Sequence, residues 1–196
     1  MFTGIIQAQG ALSGYRQGRT EIVVEAKALA SRVEPGGSLA VDGVCLTLVR
    51  REENRLIFNL ARETRDRTTL GTLRPGAPLN LESPLTLAAP LGGHLVSGHV
   101  DYRGRILRVA ARRPGRRLSV SLPSPWRVFL VPKGSVAVNG VSLTVAEVGP
   151  SSFDVELIPA TLEATNLGRL RTGTMANVEC DIIGKYVYNF LNRPNR

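Results

Sequence analysis

Cysteine is scarce in this chain of 196 residues: Cys45 and Cys180 are the only two. They stand at unrelated places, which leaves no disulfide framework and no metal-binding spacing. Histidine is as rare, and His94 and His99, five apart with no third ligand nearby, make poor metal spacing. No apolar run approaches the length of a membrane span. The opening MFTGIIQAQG lacks the basic start and apolar stretch of a secretory signal. These absences predict a cytoplasmic protein with no membrane segment and no metal site.

Lysine is also rare, three residues against 22 arginines, in a chain of formal charge +9. Seven of the arginines (Arg103, Arg105, Arg108, Arg112, Arg113, Arg116 and Arg117) form a basic ribbon without one acidic residue. Such a ribbon could hold phosphates. The segment contains a single aromatic, Tyr102, and no nucleic-acid module. A solvated surface under a chain-wide preference for arginine is therefore the favoured reading, and no nucleic-acid partner is expected.

What the chain does have is a repeat. SLAVDGVCLTLV (38–49) returns as SVAVNGVSLTVA (135–146), 97 residues later. At the same offset Thr64, Thr68, Leu70, Gly71 and Leu73 answer to Thr161, Thr165, Leu167, Gly168 and Leu170, while Asn80 and Glu82 answer to Asn177 and Glu179. FTGIIQAQG (2–10) answers to VSGHVDYRG (96–104) at an offset of 94. The chain is an internal duplication, with a period too long for a solenoid unit. It predicts one domain over 1–91, a second over 92–183, and an added tail over 184–196, with the boundary in the Pro- and Gly-interrupted stretch 82–93.

Short segments rich in Val and Ile, at 20–26, 54–61, 104–110, 117–122 and 151–158, read as strands. Asp42-Gly43 and Asn139-Gly140 between alternating apolar residues read as hairpin turns. A small antiparallel barrel or sandwich, made twice, is expected. Helical turns are expected near residue 64 and over 161–170, and a short helix over 124–131 with Ser124 as its cap. A terminal helix over 184–193, with Tyr186, Val187 and Phe190 on one side, is a candidate for subunit contact.

Beyond each hairpin turn the side chains alternate. Val44, Leu46 and Leu48 share one face with one another, as do Val141, Leu143 and Val145; Cys45 with Thr47, and Ser142 with Thr144, share the other. Small polar residues there leave room for a planar ligand and can meet its polar edge. For a single strand a plain solvent face is the simpler reading; the pattern gains force because it persists while the outer segments have diverged. His99 stands where the first copy has Ile5, so the two copies are expected to treat similar ligands differently.

MFTG, GVCLTL (43–48), GGHLVSGHVD (92–101), VNGVSLTV (138–145), LIPATLEATNLG (157–168) and NVECDIIGKYV (177–187) together resemble riboflavin synthases of the alpha, Greek-key-barrel type, over essentially the whole chain. The resemblance implies an all-β fold of two tandem six-stranded Greek-key barrels with a C-terminal helix, assembled as a homotrimer. It implies two molecules of 6,7-dimethyl-8-ribityllumazine as substrate, riboflavin and 5-amino-6-ribitylaminouracil as products, no cofactor, and an association with lumazine synthase. Carried over by position, the N-terminal pocket takes Gly4, Ile5, Ile6, Cys45, Leu46, Thr47 and the run Asn59, Leu60, Ala61, Arg62, Glu63 and Thr64. The C-terminal pocket takes Gly98, His99, Val100, Ser142, Leu143, Thr144 and the run Ile158, Pro159, Ala160, Thr161, Leu162 and Glu163. Lys133 would reach a neighbouring subunit's ligand, and Asp181 is a weaker candidate. His99, Ser142, Thr144 and Cys45 are the expected catalytic groups, with water as an alternative nucleophile. A non-catalytic lumazine- or flavin-binding protein of the same fold would keep one competent pocket, whereas here Ser142, Thr144 and SGHVD leave both copies equipped.

Overall fold

The structure, a computed structural model, describes residues 1–192. Six strands, β1 (Ala8–Arg16), β2 (Glu21–Glu25), β3 (Ser38–Val41), β4 (Val44–Glu52), β5 (Arg55–Asn59) and β6 (Pro78–Glu82), close a barrel in the order β1-β2-β5-β4-β3-β6. Six more, β7 (Tyr102–Arg112), β8 (Gly115–Ser121), β9 (Ser135–Val138), β10 (Val141–Val148), β11 (Ser152–Leu157) and β12 (Met175–Cys180), close a second in the same order. Every pairing is antiparallel. Closure satisfies both edges of each sheet, so neither barrel exposes an unpaired strand. The expected all-β pair of barrels is what the chain forms.

Alternation fills each barrel. Leu46, Leu48, Leu56, Phe58 and Leu81 lie in the first core; Leu143, Val145, Phe153, Val155 and Val178 lie in the second. Burial of each such side chain contributes about 1.5–3 kcal/mol. Helices α1 (Arg62–Arg67) and α2 (Pro159–Ala164) each run into a 3-10 turn, at Thr69–Gly71 and Asn166–Arg169. Thr68 and Thr165 cap those turns by accepting from Leu70 N–H and Leu167 N–H.

Two helical expectations need correction. Residues Ser124–Phe129 form a 3-10 helix whose cap position is Pro123, and no side chain caps it. Ser124 therefore lies inside the helix, where it cannot cap the helix's free N–H groups. The terminal helix α3 (Ile182–Leu191) begins two residues earlier than Gly184, because the Asp181 carboxylate accepts from Ile183 N–H at 2.9 Å and starts it. Residues 193–196, the end of the predicted tail, lie outside the described residues.

The barrels meet at their hairpin turns. Asp42 and Gly43 take φ of 47° and 76°, Asn139 and Gly140 take 46° and 77°, the left-handed backbone that Asp-Gly and Asn-Gly turns supply. A pseudo-two-fold set of hydrogen bonds locks them. Asn80 N–H donates to Asp42 Oδ1 (2.8 Å), and its amide donates to the Asn139 carbonyl (2.9 Å). Asn177 repeats both bonds, to Asn139 Oδ1 (2.8 Å) and the Asp42 carbonyl (2.9 Å). One member breaks the symmetry: Asn166 donates to Asp42 Oδ1 (2.8 Å), whereas the equivalent Thr69 gives only its backbone N–H, to Asn177. Burial pushes the Asp42 carboxyl up to about 7, against the pull of the Asn80 N–H and the Asn166 amide.

Candidate functional site

The segments that lead into β1 and β7 place the site. Glu82, at the end of β6, accepts from the Thr3 N–H and hydroxyl (2.6 and 2.7 Å) and from Gly4 N–H (3.0 Å). Glu179, on β12, does the same for the Ser97 N–H and hydroxyl (2.6 and 2.7 Å) and Gly98 N–H (3.0 Å). Burial raises both carboxyls while these donors favour the charged form. Each segment is thus pinned to the rim of its own barrel, and then crosses to the other. Ser142 N–H donates to the Gly4 carbonyl (2.8 Å), and Cys45 N–H donates to the Gly98 carbonyl (2.9 Å). The approach requires glycine: a Cβ on Gly4 would fall 2.6 Å from Ser142 Cβ, and one on Gly98 would fall 2.5 Å from Cys45 Cβ.

The expected division of the two pockets is therefore reversed. Gly4 and Ile5 lie with Ser142, and Gly98 and His99 lie with Cys45. The cores confirm the exchange: Val100 belongs to the first barrel's core, and Ile6 packs on the second. The physical reason is the two-fold arrangement, which brings the start of β4 beside the lead-in of β7 and the start of β10 beside the lead-in of β1.

Around Cys45 the exchange encloses a cavity of about 340 Å³, within the range of small-molecule sites. The first barrel lends Cys45, Glu63, Thr64, Arg67 and Thr68; the crossing segment lends Ser97 to Asp101; α3 lends Ile182 and Lys185. Asp101, buried, accepts from Cys180 N–H (2.7 Å) and from Lys185 Nζ (2.6 Å), which fixes the ammonium at the cavity wall. Arg67 donates to Glu63 (2.8 Å) and to the Asp101 carbonyl (3.3 Å). His99 is exposed, and its N–H donates to Ser97 Oγ. Arg67, Thr68, Asp101, Ile182 and Lys185 were not among the expected site residues. Asp101, Ile182 and Lys185 stand inside the family-like motifs, so a signal existed; Arg67 had none.

At the second site the Ser142 hydroxyl lies 2.7 Å from His94 Nδ1. Burial pushes the His94 pKa down, which favours the neutral ring, and its Nε2 is buried with no partner among the described residues. Gly93 lies so close that a Cβ on it would fall 2.8 Å from Ser142 Cβ. The 92–94 linker therefore lies against Ser142, whereas the equivalent Cys45 lines its cavity. His94, ranked below His99 on sequence, is the histidine that bonds an expected catalytic group.

The remaining expected residues are less uniform. Thr47 and Thr144 are exposed on the faces of Cys45 and Ser142, while Leu46 and Leu143 point into the cores. Glu63 and Thr64 reach the Cys45 cavity; Leu60 is core, and Arg62 opens on a separate cleft. Asn59 pairs with Glu21 in the ladder, and Ala61 precedes α1. On and beside α2, Ile158, Pro159, Ala160 and Glu163 are exposed, and Thr161 and Leu162 are half-buried. Lys133 is exposed in the turn before β9, its N–H bonded to the Val145 carbonyl. Asp181 is a helix cap. Among the described residues no group of three or more His, Cys, Asp or Glu is placed to hold a metal, and no helix is long and apolar enough to cross a membrane.

The chain is similar to known proteins. A family model described as a lumazine binding domain matches residues 3–84 and again 97–181. The riboflavin synthase of Actinobacillus pleuropneumoniae is 36% identical over 193 residues, covering 97% of this chain and 90% of that one. That of Mycobacterium tuberculosis (strain ATCC 25618 / H37Rv) is 38% identical over 198 residues, covering 95% and 96%. That of Bacillus subtilis (strain 168) is 34% identical over 197 residues, covering 100% and 92%. The crystal structure of LumP complexed with riboflavin has a TM-score of 0.85 at 23% identity, covering 92% of this chain and 99% of that one, a likeness of fold.

Proposed function

The chain belongs to the riboflavin synthase family, built from two lumazine-binding domains, and from that premise we propose that it converts two molecules of 6,7-dimethyl-8-ribityllumazine into riboflavin and 5-amino-6-ribitylaminouracil. One lumazine gives a four-carbon unit to the other. The observation that carries this reading is the exchange itself: each barrel has its own small polar pair, Cys45 with Thr47 or Ser142 with Thr144, and each is met by the lead-in of the other barrel. A protein that merely held a ligand would need one such site.

The chemistry asks for two pteridines held face to face, in opposite orientation, while a proton leaves the C7 methyl of one and a nucleophile adds to the other. Orientation of this kind contributes on the order of 7–11 kcal/mol in favourable cases. In our reading the N-terminal pocket is the Cys45 cavity, with His99 at its mouth handling protons. The C-terminal pocket forms around Ser142, with Thr144, Ile5 and the α2 run, and His94 orients the Ser142 hydroxyl. Cys45 and Ser142 are the polar or nucleophilic group of each pocket.

The working unit in this proposal is a homotrimer, in which one subunit's N-terminal barrel meets its neighbour's C-terminal barrel, with Lys133 reaching the neighbour's ligand. Support comes from α3, where Ile183, Tyr186, Val187, Phe190 and Leu191 are all more than half exposed. An apolar face of that size on a helix that also walls the Cys45 cavity suits a subunit contact. A cytoplasmic setting suits two free thiols. An association with lumazine synthase belongs to the same reading and rests on the family resemblance.

The experiment is to mix the protein with the lumazine alone and follow both products. Equal amounts of riboflavin and the aminouracil support the proposal. Tight binding without turnover would reassign the chain to a non-catalytic ligand carrier.

A further inference from the structure

The basic ribbon of the sequence does not stay together in the fold. Toward the tip of the β7–β8 hairpin, Arg117 is held by Glu147 and Asp154, Arg116 donates to the Gly168 carbonyl (2.9 Å), and Arg112 lies 3.9 Å from Glu156. Arg103, at the base of β7, makes no ion pair among the described residues. It lines a cleft of about 470 Å³ shared with the first barrel, together with Arg19, Arg62 and Arg65. Gly18, Asp66, Gly71 and Thr72 complete its wall. Four guanidinium groups thus border one cleft that contains a single carboxylate, and Asp66 is already 3.6 Å from Arg62.

Two observations set this cleft apart from an ordinary basic surface. The Nε of Arg65 is shielded from water and has no hydrogen-bond partner among the described residues, a donor in place for an acceptor from outside. The duplication also provides an internal control. Where the first copy has Arg62 and Arg65, the second has Pro159 and Leu162, and Arg103 answers to Gln9, whose amide donates to the Glu163 carbonyl (3.1 Å). Only Arg19 repeats a structural task, donating to the Gly71 carbonyl (3.1 Å) as Arg116 does to Gly168. The fold needs one guanidinium at this place; the first copy adds Arg62 and Arg65, and the second lends Arg103.

We infer that this cleft binds a small phosphate-bearing anion, of the pyrophosphate or phosphomonoester class. Guanidinium forks match phosphate oxygens in pairs, and a multiply charged anion relieves the mutual repulsion of the four cations. Arg62 and Arg65 sit on α1, whose other residues Glu63, Thr64 and Arg67 wall the Cys45 cavity. An anion that draws Arg62 and Arg65 together therefore acts on the helix that borders the proposed substrate site. Anion binding itself does not depend on that assignment.

The test is calorimetric titration of the full chain with pyrophosphate and with inorganic phosphate at fixed ionic strength, beside the double variant Arg65→Leu/Arg103→Gln. Those are the residues at the symmetry-equivalent places, Leu162 in the second copy and Gln9 in the first, so the fold should keep them. Saturable binding of pyrophosphate, weakened about tenfold or more in the variant, is the expected result. Absence of binding, or equal binding by the variant, would overturn the inference. So would a single-stranded oligonucleotide that saturates these arginines while pyrophosphate does not. If the variant misfolds, phenylglyoxal labelling of the native chain decides: pyrophosphate must protect Arg65 and Arg103 but leave Arg105 and Arg108 reactive, and labelling of all four alike refutes the site.

Discussion

Gly43 and Gly140 meet back to back across the pseudo-two-fold axis, so closely that a Cβ on either would fall 2.6 Å from the backbone nitrogen of the other. Both also hold a left-handed backbone. Gly43→Ala should therefore cost roughly 3–5 kcal/mol, because the clash is with backbone and no side chain can yield. Chemical denaturation measures it; a loss below about 1 kcal/mol would mean that the barrels separate easily.

Because the lead-in segments cross, damage should cross with them. Glu179→Gln replaces a carboxylate that accepts three bonds from Ser97 and Gly98 with an amide that opposes one donor with another. Though Glu179 is in the second barrel, lumazine binding should weaken at the Cys45 site of the first. Glu82→Gln should weaken the Ser142 site. Ligand quenching of fluorescence, read with each pocket separately blocked, tells the two apart; damage confined to the mutated barrel's own pocket would contradict the exchange.

His99→Ala should lower turnover by about 100-fold or more while leaving the melting temperature nearly unchanged, since the side chain is exposed and its backbone N–H bond to Ser97 survives. Steady-state kinetics and a thermal melt suffice. Unchanged turnover would remove His99 from the proton-handling role.

Asp42 should make stability depend on pH. In the unfolded chain it ionises near 3.8, whereas in the fold it keeps its proton up to about 7. Between those values the folded state binds more protons, so this group's effect is a stability that falls as pH rises and levels off above about 7. Asn139 already fills the equivalent place. Asp42→Asn should stabilise the protein by roughly 2–4 kcal/mol near pH 8 and have little effect near pH 4. Parallel stability curves for the two proteins would show that Asp42 titrates normally.

The two thiols should differ sharply. Cys180 is fully buried, and its environment pushes the thiol up to about 12; Cys45 is partly exposed at the cavity. A disulfide reagent should modify one thiol rapidly in the native chain, and bound lumazine should slow it. Two fast thiols, or no protection by ligand, would contradict the placement of Cys45.

Much of this could be read from the chain. The repeat offset, the Asp-Gly and Asn-Gly turns and the inward Val and Leu of β4 and β10 depend on local periodicity and turn chemistry, which sequence carries directly. Sequence does not mark the starts of the Ser124–Phe129 and Ile182–Leu191 helices, because a cap is a matter of backbone geometry, and Pro123 and Asp181, not Ser124 and Gly184, hold the cap positions. The equivalence of Glu82 and Glu179 was visible, but their task was not, since their partners stand about eighty residues away.

The sequence by itself determined that there would be two alike β-domains, barrel or sandwich, and which small polar residues each would offer. Only the tertiary structure decided which lead-in serves which barrel. Alignment places Gly4 with Cys45, because the two lie in one copy. A rotation axis between the copies instead places the Gly4 carbonyl on Ser142 N–H and the Gly98 carbonyl on Cys45 N–H. A repeat records what each copy contains, and the packing of one copy on the other settles what each copy lends.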